Sequence, residues 1–303
     1  MAMKKIIKKK VVSLLSVLGL QVLIGTIRFS PRGIAYFVGS ILSRVYYFCA
    51  NKNRKIALMN LNRAMGDSFS SAELKLIAKQ SFNTMGHIVL DTVRYKDFSK
   101  QQLAASIEIQ GIEHLERALS KGKGVIGASA HLGSFTLMGG MLTSLGYKST
   151  FVARHARNKR VEKIMMGFCR QAGQKVIFNR PIVTCMRRCI QTLSRNHVLI
   201  IEMDQNFGTE GLQINFFGRA AKVASGPIKL ALSTKAALVP MFIVRKKDNN
   251  HILKIEPQVE LDISGDMERD VKVNLQNTID IIEKYIRQYP GQWVNWIHKQ
   301  WEV

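Results

Sequence analysis

The chain predicts an α/β fold: a single mixed or parallel sheet flanked by helices, preceded by N-terminal helices that associate with a membrane. Three observations carry this expectation. From about residue 107 onward, short apolar runs of strand character alternate with longer runs of helical periodicity. Hydrophobic residues make up 47% of the 303 positions and charged residues 22%, enough to bury a core and unlike a disordered or low-complexity chain. The first 50 residues differ from the rest, setting lysine and arginine clusters around apolar stretches. With no internal repeat and no Ser/Pro-rich linker, the simplest division is an anchor over 1–50 and one domain over 51–303.

The formal net charge of +24 is concentrated in two blocks. Twelve Lys/Arg precede Asp67, the first acidic residue, and eleven between Arg154 and Arg195 face Glu162 alone. Such blocks imply a polyanionic partner: an anionic membrane, a phosphorylated substrate or an acidic protein. No helix-turn-helix, finger or RNP pattern is present, so nucleic acid is not expected. Cys49, Cys169, Cys185 and Cys189 are too few and too irregular for a disulfide scaffold. Cys185 and Cys189 lack a second Cys/His pair at zinc spacing, so no metal is expected. Without a phosphate-loop or dinucleotide fingerprint, no cofactor is expected either.

At the N-terminus, Lys4, Lys5, Lys8, Lys9 and Lys10 precede an uncharged run from Val11 to Ile27. As a helix it would span about 26 Å, a little short of the ~30 Å hydrocarbon core. After a break at Arg28, Pro31, Arg32 and Gly33, a second apolar run extends from Ile34 to Leu42 and ends at Arg44 with Tyr46, Tyr47 and Phe48. No small-x-small site precedes Arg28, which argues against a cleaved signal. The pattern fits a helix lying in, or re-entering, the inner leaflet with the domain on the cytoplasmic side. A buried amphipathic helix is the competing reading.

Helical periodicity runs from Asn51 to Arg94, broken at Gly66-Asp67 and restarted at Ser70, with Glu73 completing a capping box. Strands are expected at 107–109, 125–130, 150–152, 176–178, 198–203, 238–244 and 252–255. Helices are expected at 112–119, 135–145, 161–171, 181–193, 226–235 and 271–288. The pair Gly139-Gly140 reads as close helix packing.

His131 stands where the buried strand Val125-Ile-Gly-Ala-Ser-Ala hands over to the turn His131-Leu-Gly-Ser-Phe-Thr136. Ligands of open α/β sheets bind beyond the carboxyl ends of strands, and an imidazole there suits general-base chemistry. Downstream, Val198-Leu-Ile-Ile-Glu-Met-Asp-Gln205 puts Glu202 and Asp204 on one face at the end of a second buried strand. Buried carboxylates are costly without partners, which marks this pair for function. The competing reading has Asp204 capping the next loop and Glu202 paired with an arginine.

The strand-His-x-Gly-Ser-aromatic turn resembles the lipid A late acyltransferases, within the wider glycerolipid acyltransferase superfamily. Other segments in the same order support the resemblance: Arg54-Lys-Ile-Ala-Leu-Met-Asn-Leu-Asn-Arg-Ala, Gly111-Ile-Glu-His-Leu, Gly122 to Ser134, Asp204-Gln205, Phe216-Phe217-Gly218 and Gly226-Pro227. The closing Pro290-Gly-Gln-Trp-Val-Asn-Trp-Ile-His-Lys-Gln-Trp301 extends it. The resemblance implies a glycerolipid-acyltransferase-like fold over 51–303. It also implies transfer of a fatty acyl chain from an acyl carrier protein or CoA thioester to a hydroxyl of a lipid A precursor or related glycolipid, with a lysophospholipid as the alternative acceptor. The implied setting is the cytoplasmic face of a bacterial inner membrane.

In the family pattern the histidine is the base, and an acidic residue five positions later orients it. This chain has Thr136 there, which can hydrogen-bond an imidazole but cannot stabilise its charge. Glu202 is the first choice to replace the acid, with Asp204 matching the family's Asp-Gln; loss of catalysis is the alternative. Backbone N–H groups near Gly133 and Ser134, together with Arg154, are expected to meet the developing oxyanion. Arg154 and Arg170 resemble family arginines, and with Thr136 and Gln205 are expected at the substrate. Arg157, Lys159, Arg160, Arg187 and Arg188 are read as a surface facing membrane or carrier. The fatty chain needs an apolar groove, for which Met165, Met166 and Phe168, or Leu137 and Met138, are candidates beside an ordinary core role. His298 with Trp293, Trp296 and Trp301 is read either as an interfacial belt or as a clamp over the domain.

Overall fold

The computed structural model describes residues 19, 21–22, 24–95, 98–156, 158–205, 211–298 and 301. Lys4 to Lys10, most of the Val11–Ile27 run and Arg157 lie outside the described residues.

After helical residues at 24–29 come three helices: α1 (Arg32–Cys49), α2 (Asn51–Met65) and α3 (Ser71–Tyr95). Pro31 stands just before α1, where its missing N–H costs nothing. Ala35, Tyr36, Gly39, Ser43 and Tyr47 recur at helical spacing and turn inward. The opposite face leaves Phe37, Ile41, Leu42, Val45 and Phe48 exposed. The chain then turns through 89° into α2, and among the described residues no single helix is long and apolar enough to cross a membrane. The predicted box at the start of α3 is formed: the Ser70 backbone N–H and hydroxyl donate to the Glu73 carboxylate at 2.8 and 2.7 Å.

A short α4 (Lys100–Ser106) leads to β1 (Ile107–Gln110), α5 (Ile112–Leu119) and β2 (Val125–Ser129). A 3₁₀ turn (Phe135–Leu137) runs into α6 (Met138–Ser144). Next come β3 (Ser149–Ala153), α7 (Lys159–Gln171), β4 (Lys175–Phe178), α8 (Ile182–Ser194) and β5 (Val198–Glu202). A hairpin of β6 (Leu212–Phe216) and β7 (Arg219–Val223) precedes α9 (Gly226–Thr234), β8 (Ala237–Arg245), β9 (His251–Ile255) and α10 (Met267–Gln288).

Seven strands form one mixed sheet in the order β1-β9-β8-β2-β5-β3-β4. Strands β8, β2, β5, β3 and β4 are mutually parallel; β9 runs antiparallel to β8, and β1 parallel to β9. Helices cover both faces, so the central strands are apolar throughout, and β2 is buried at all five positions. Ile126, Leu199 and Leu238 face the core shared with α10, through Leu275, Ile279 and Ile282. Val125, Ile200 and Val239 face the other, with Leu115, Met138 and Met141. Gly139 is close-packed, though not against another helix: a Cβ there would stand 2.0 Å from Nε2 of Gln174, the residue before β4.

Every strand expected from the sequence is present, and the hairpin β6-β7 is an addition. Its strands alternate exposed and buried residues, and the two-residue turn uses Phe217 (φ 56°) and Gly218 (φ 73°).

Candidate active site

The site is built where β2 and β5 end side by side. Ser129 pairs with Glu202 in the parallel register, and the Met203 N–H donates to the Ser129 carbonyl at 2.8 Å. Two residues further on, His131 and Asp204 therefore arrive on the same face of the sheet. Asp204 Oδ1 lies 2.8 Å from His131 Nδ1, and Asp204 Oδ2 accepts the His131 backbone N–H at 3.0 Å. The Asp204 side chain is wholly buried, whereas the His131 side chain keeps 19% of its surface. With Nδ1 donating to the carboxylate, the basic lone pair falls on Nε2.

The closing Trp-rich segment completes the arrangement. The Val294 N–H donates to the His131 carbonyl at 3.1 Å and the Gly133 N–H to the Gln292 carbonyl at 3.0 Å, so the tail lies along the turn as a short added strand. This brings the Trp293 indole N–H to Asp204 Oδ2 at 2.6 Å and the Asn295 amide to the same oxygen at 2.9 Å. The tail is held from behind by α2 and α3: Asn60 donates to the Trp296 and His298 carbonyls at 2.8 and 2.6 Å, and Ser81 and Thr84 to those of Trp293 and Gly291. Trp293, Trp296 and Trp301 are buried with Phe216 and Phe217. The segment is thus a clamp over the domain and not an interfacial belt.

Charges in this setting are strongly coupled. Burial of the His131 ring opposes its charge, but Asp204, through charge and hydrogen bond, outweighs that and raises the imidazole to about 9. Burial likewise opposes the Asp204 charge, yet His131 and the Trp293 hydrogen bond hold it below the usual carboxylate range. The ligand-free pair is therefore imidazolium and carboxylate at neutral pH. Burial pushes Glu202 up to about 8.

Several expectations need correction. Asp204, not Glu202, orients His131: the register seats Glu202 opposite Ser129, two positions short of the histidine, and its buried Oε1 makes no hydrogen bond. Thr136 turns away to Thr92, with the hydroxyls 2.9 Å apart. Ser134 is fully buried, bonding Asp91 and accepting from Arg245 Nη2 at 2.9 Å, so it is not a substrate contact. The Gly133 N–H is spent on Gln292 and is closed to an oxyanion. Gly133 is needed for another reason: at φ 54° a Cβ would stand 2.1 Å from the Ile243 carbonyl oxygen. Arg154 is exposed just beyond β3, at the same end of the sheet as His131. Arg170 is not; it lines a cleft at the opposite end. Gln205 is half-buried, directly after Asp204.

Sequence reasoning missed the network beneath the turn. Asp91 of α3 is wholly buried and receives Tyr36 of α1, Ser134 and the Arg245 guanidinium, with His251 Nε2 3.3 Å away. Burial opposes the Asp91 charge, but His251 and Arg245 outweigh it and hold the carboxyl at about 2. Asn295 was also missed, although it stands inside the tail motif.

Beside the turn lies a largely apolar cavity of about 310 Å³. Leu137, Met165 and Phe168 line it with Leu103 and Met141, and Thr136 adds a polar edge. Met138 is instead fully buried, and Met166 faces the cleft at the other end.

Comparison with known proteins gives the family. The model of the bacterial lipid A biosynthesis acyltransferase family matches residues 4–303. The chain belongs to that family. It is accordingly an acyltransferase, as its relatives are named. It is similar to a phosphatidylinositol mannoside acyltransferase of Mycolicibacterium smegmatis, 25% identical over 279 residues, covering 91% of this chain and 88% of the relative. It is also similar to the lipid A biosynthesis palmitoleoyltransferase of Escherichia coli, 23% identical over 276 residues, covering 90% and 86%. A lipid A biosynthesis acyltransferase of Haemophilus influenzae is 23% identical over 250 residues, covering 82% and 75%.

Proposed function

We propose that this acyltransferase moves a fatty acyl chain from an acyl carrier protein or CoA thioester to a hydroxyl of a membrane glycolipid, a lipid A precursor or a related anionic lipid. The observation that carries the reading is the His131–Asp204 pair, which supplies the charged partner that Thr136 cannot. In its neutral form His131 takes the acceptor's hydroxyl proton on Nε2. The oxygen attacks the thioester carbonyl, forming the C–O bond; the C–S bond then breaks, and the imidazolium returns the proton to the leaving thiolate. Asp204 stabilises the imidazolium throughout and holds the ring. The apolar cavity beside Thr136 receives the acyl chain, and Arg154 meets an anionic group on acceptor or donor.

The same reading sets the enzyme on the cytoplasmic face of a bacterial inner membrane. The exposed apolar face of α1, from Phe37 to Phe48, rests in the interface, with the exposed Arg44 and Lys52 beside it for anionic head groups. The +10 block from Arg154 to Arg195 suits an acidic carrier protein or an anionic lipid.

The test is transfer of a labelled acyl chain to extracted glycolipid from carrier-protein and CoA thioesters separately. Wild type transfers, His131→Ala and Asp204→Asn fall by about 10²-fold or more, and Glu202→Gln keeps most of the rate. A wild type inactive with every donor and acceptor would favour the alternative, a lipid-binding protein that has lost catalysis.

A further inference from the structure

At the end of the sheet opposite His131 lies a second cavity, a cleft of about 440 Å³ between α7, α8 and the starts of β3, β4 and β5. Arg188, Gln191 and Thr192 of α8 line one side with Arg195, which caps that helix; the last three lie three, four and seven residues beyond Arg188. Arg170 comes from the end of α7, Lys175 opens β4, and His197 immediately precedes β5.

Four cationic residues, all exposed, therefore line one concavity, and among the described residues no carboxylate lines it. Nor is any of the four in an ion pair among the described residues. Like charges gathered without counter-charge repel one another, and the walls focus their field. His197 registers that field: burial, then Lys148, Lys175 and Arg195, lower its pKa below the ordinary histidine range. Gln174 and Thr192 are buried residues of its lining, with the Thr192 hydroxyl donating to the Arg188 carbonyl at 2.9 Å.

We propose that this cleft binds a phosphate group carrying at least two negative charges, held by Arg188 and Arg195 together with Arg170 and Lys175. Guanidinium groups pair with phosphate oxygens through two N–H donors each, and the cleft has room for a diphosphate or a phosphorylated head group. The site is separate from the acyl-transfer centre, so the proposal does not depend on the acyl-transfer reading.

Two probes distinguish the source of the phosphate. Inorganic pyrophosphate is titrated into the full chain by calorimetry, while the His197 ring is followed by NMR across pH. In parallel, flotation is measured with phosphatidylcholine vesicles with and without phosphatidic acid. Wild type is compared with the double variant Arg188→Gln/Arg195→Gln and with Lys272→Gln on α10 as a control. If the source is a soluble phosphate, pyrophosphate binds, raises the His197 pKa, and binds roughly tenfold or more weakly to the double variant. If the source is a lipid head group, the increment in flotation due to phosphatidic acid is present in wild type and lost in the double variant. Absence of both effects in wild type, or their survival in the double variant, overturns the proposal. Circular dichroism of the variants separates a lost site from a lost fold.

Discussion

His131 and Asp204 sit 2.8 Å apart and share Asn295 as a neighbour, its amide nitrogen 3.1 Å from the imidazole and 2.9 Å from the carboxylate. The acid also takes the Trp293 indole and the His131 backbone N–H, so its position is fixed from three directions. A carboxylate held this way keeps its charge and aims the ring without needing to move.

Because the pair works as a unit, its variants should not add. His131→Ala and Asp204→Asn are each expected to lower kcat by about 10²–10⁴-fold, with the double variant little worse than the poorer single. Asn295→Ala leaves the carboxylate in place and costs less in rate, but about 1–3 kcal/mol in stability. Steady-state kinetics and urea unfolding of the four proteins check this.

The rate should rise with pH. His131 sits at about 9 in the ligand-free enzyme and must lose its proton to act as base, so log kcat/KM climbs through neutral pH and levels near 9. The pair's contribution to stability runs the other way: present at low-to-neutral pH relative to the histidine's unfolded value, and lost as pH rises through about 9. In Asp204→Asn the limb should move down in pH while the plateau falls. A limb unchanged in that variant would assign the titration to another group.

Asp91→Asn should unfold more easily than a surface variant. It strands the Arg245 guanidinium in a buried place, which costs about 3–5 kcal/mol. The wild-type carboxyl is held at about 2, so its contribution is complete above the ordinary aspartate range and is lost as pH falls toward 2. Acid unfolding of wild type and variant should therefore converge as that range is crossed.

Filling the apolar cavity should shorten the preferred acyl chain. Gly140 lines it, and a Cβ added there already stands 3.2 Å from the Ala172 Cβ, so Gly140→Leu projects its side chain into the remaining space. Competition between long and short donors, read by mass spectrometry of the product, should swing toward the short one. An unchanged product distribution would place the chain elsewhere.

Membrane docking should depend on the outer face of α1. Replacing Phe37, Ile41 and Val45 together by Asp removes about 1.5–3 kcal/mol of burial per side chain, and should release the protein from vesicles without changing its thermal midpoint much, since all three are exposed.

Much of this architecture is legible in the sequence because it is locally encoded. The run Val125 to Ala130 is apolar at nearly every position, as a strand covered on both faces must be, and that alone marks His131 as a residue at a strand end. The choice between Glu202 and Asp204 was not legible: both share a face, and only the pairing of Ser129 with Glu202 fixes which one meets the histidine. Ser134 misled because a polar residue in a glycine turn looks available, whereas its partners Asp91 and Arg245 lie 43 and 111 residues away along the chain. No local pattern reports a contact over such separations. The tail motif was visible as a block, but not that its asparagine and first tryptophan point at the acid.

The route by which that tail reaches Asp204 also sets when the enzyme can exist. Trp293 follows Asp204 by 89 residues, so at about 5–20 residues per second the ribosome releases the strand ends roughly 4–18 s before the donors that settle the carboxylate. During that interval β2 and β5 can pair, but an acid lacking its indole and amide has every reason to stay in water. The nascent chain is disarmed by its own order of synthesis, and acquires its chemistry only when Gly291 to Asn295 fold back across the finished sheet.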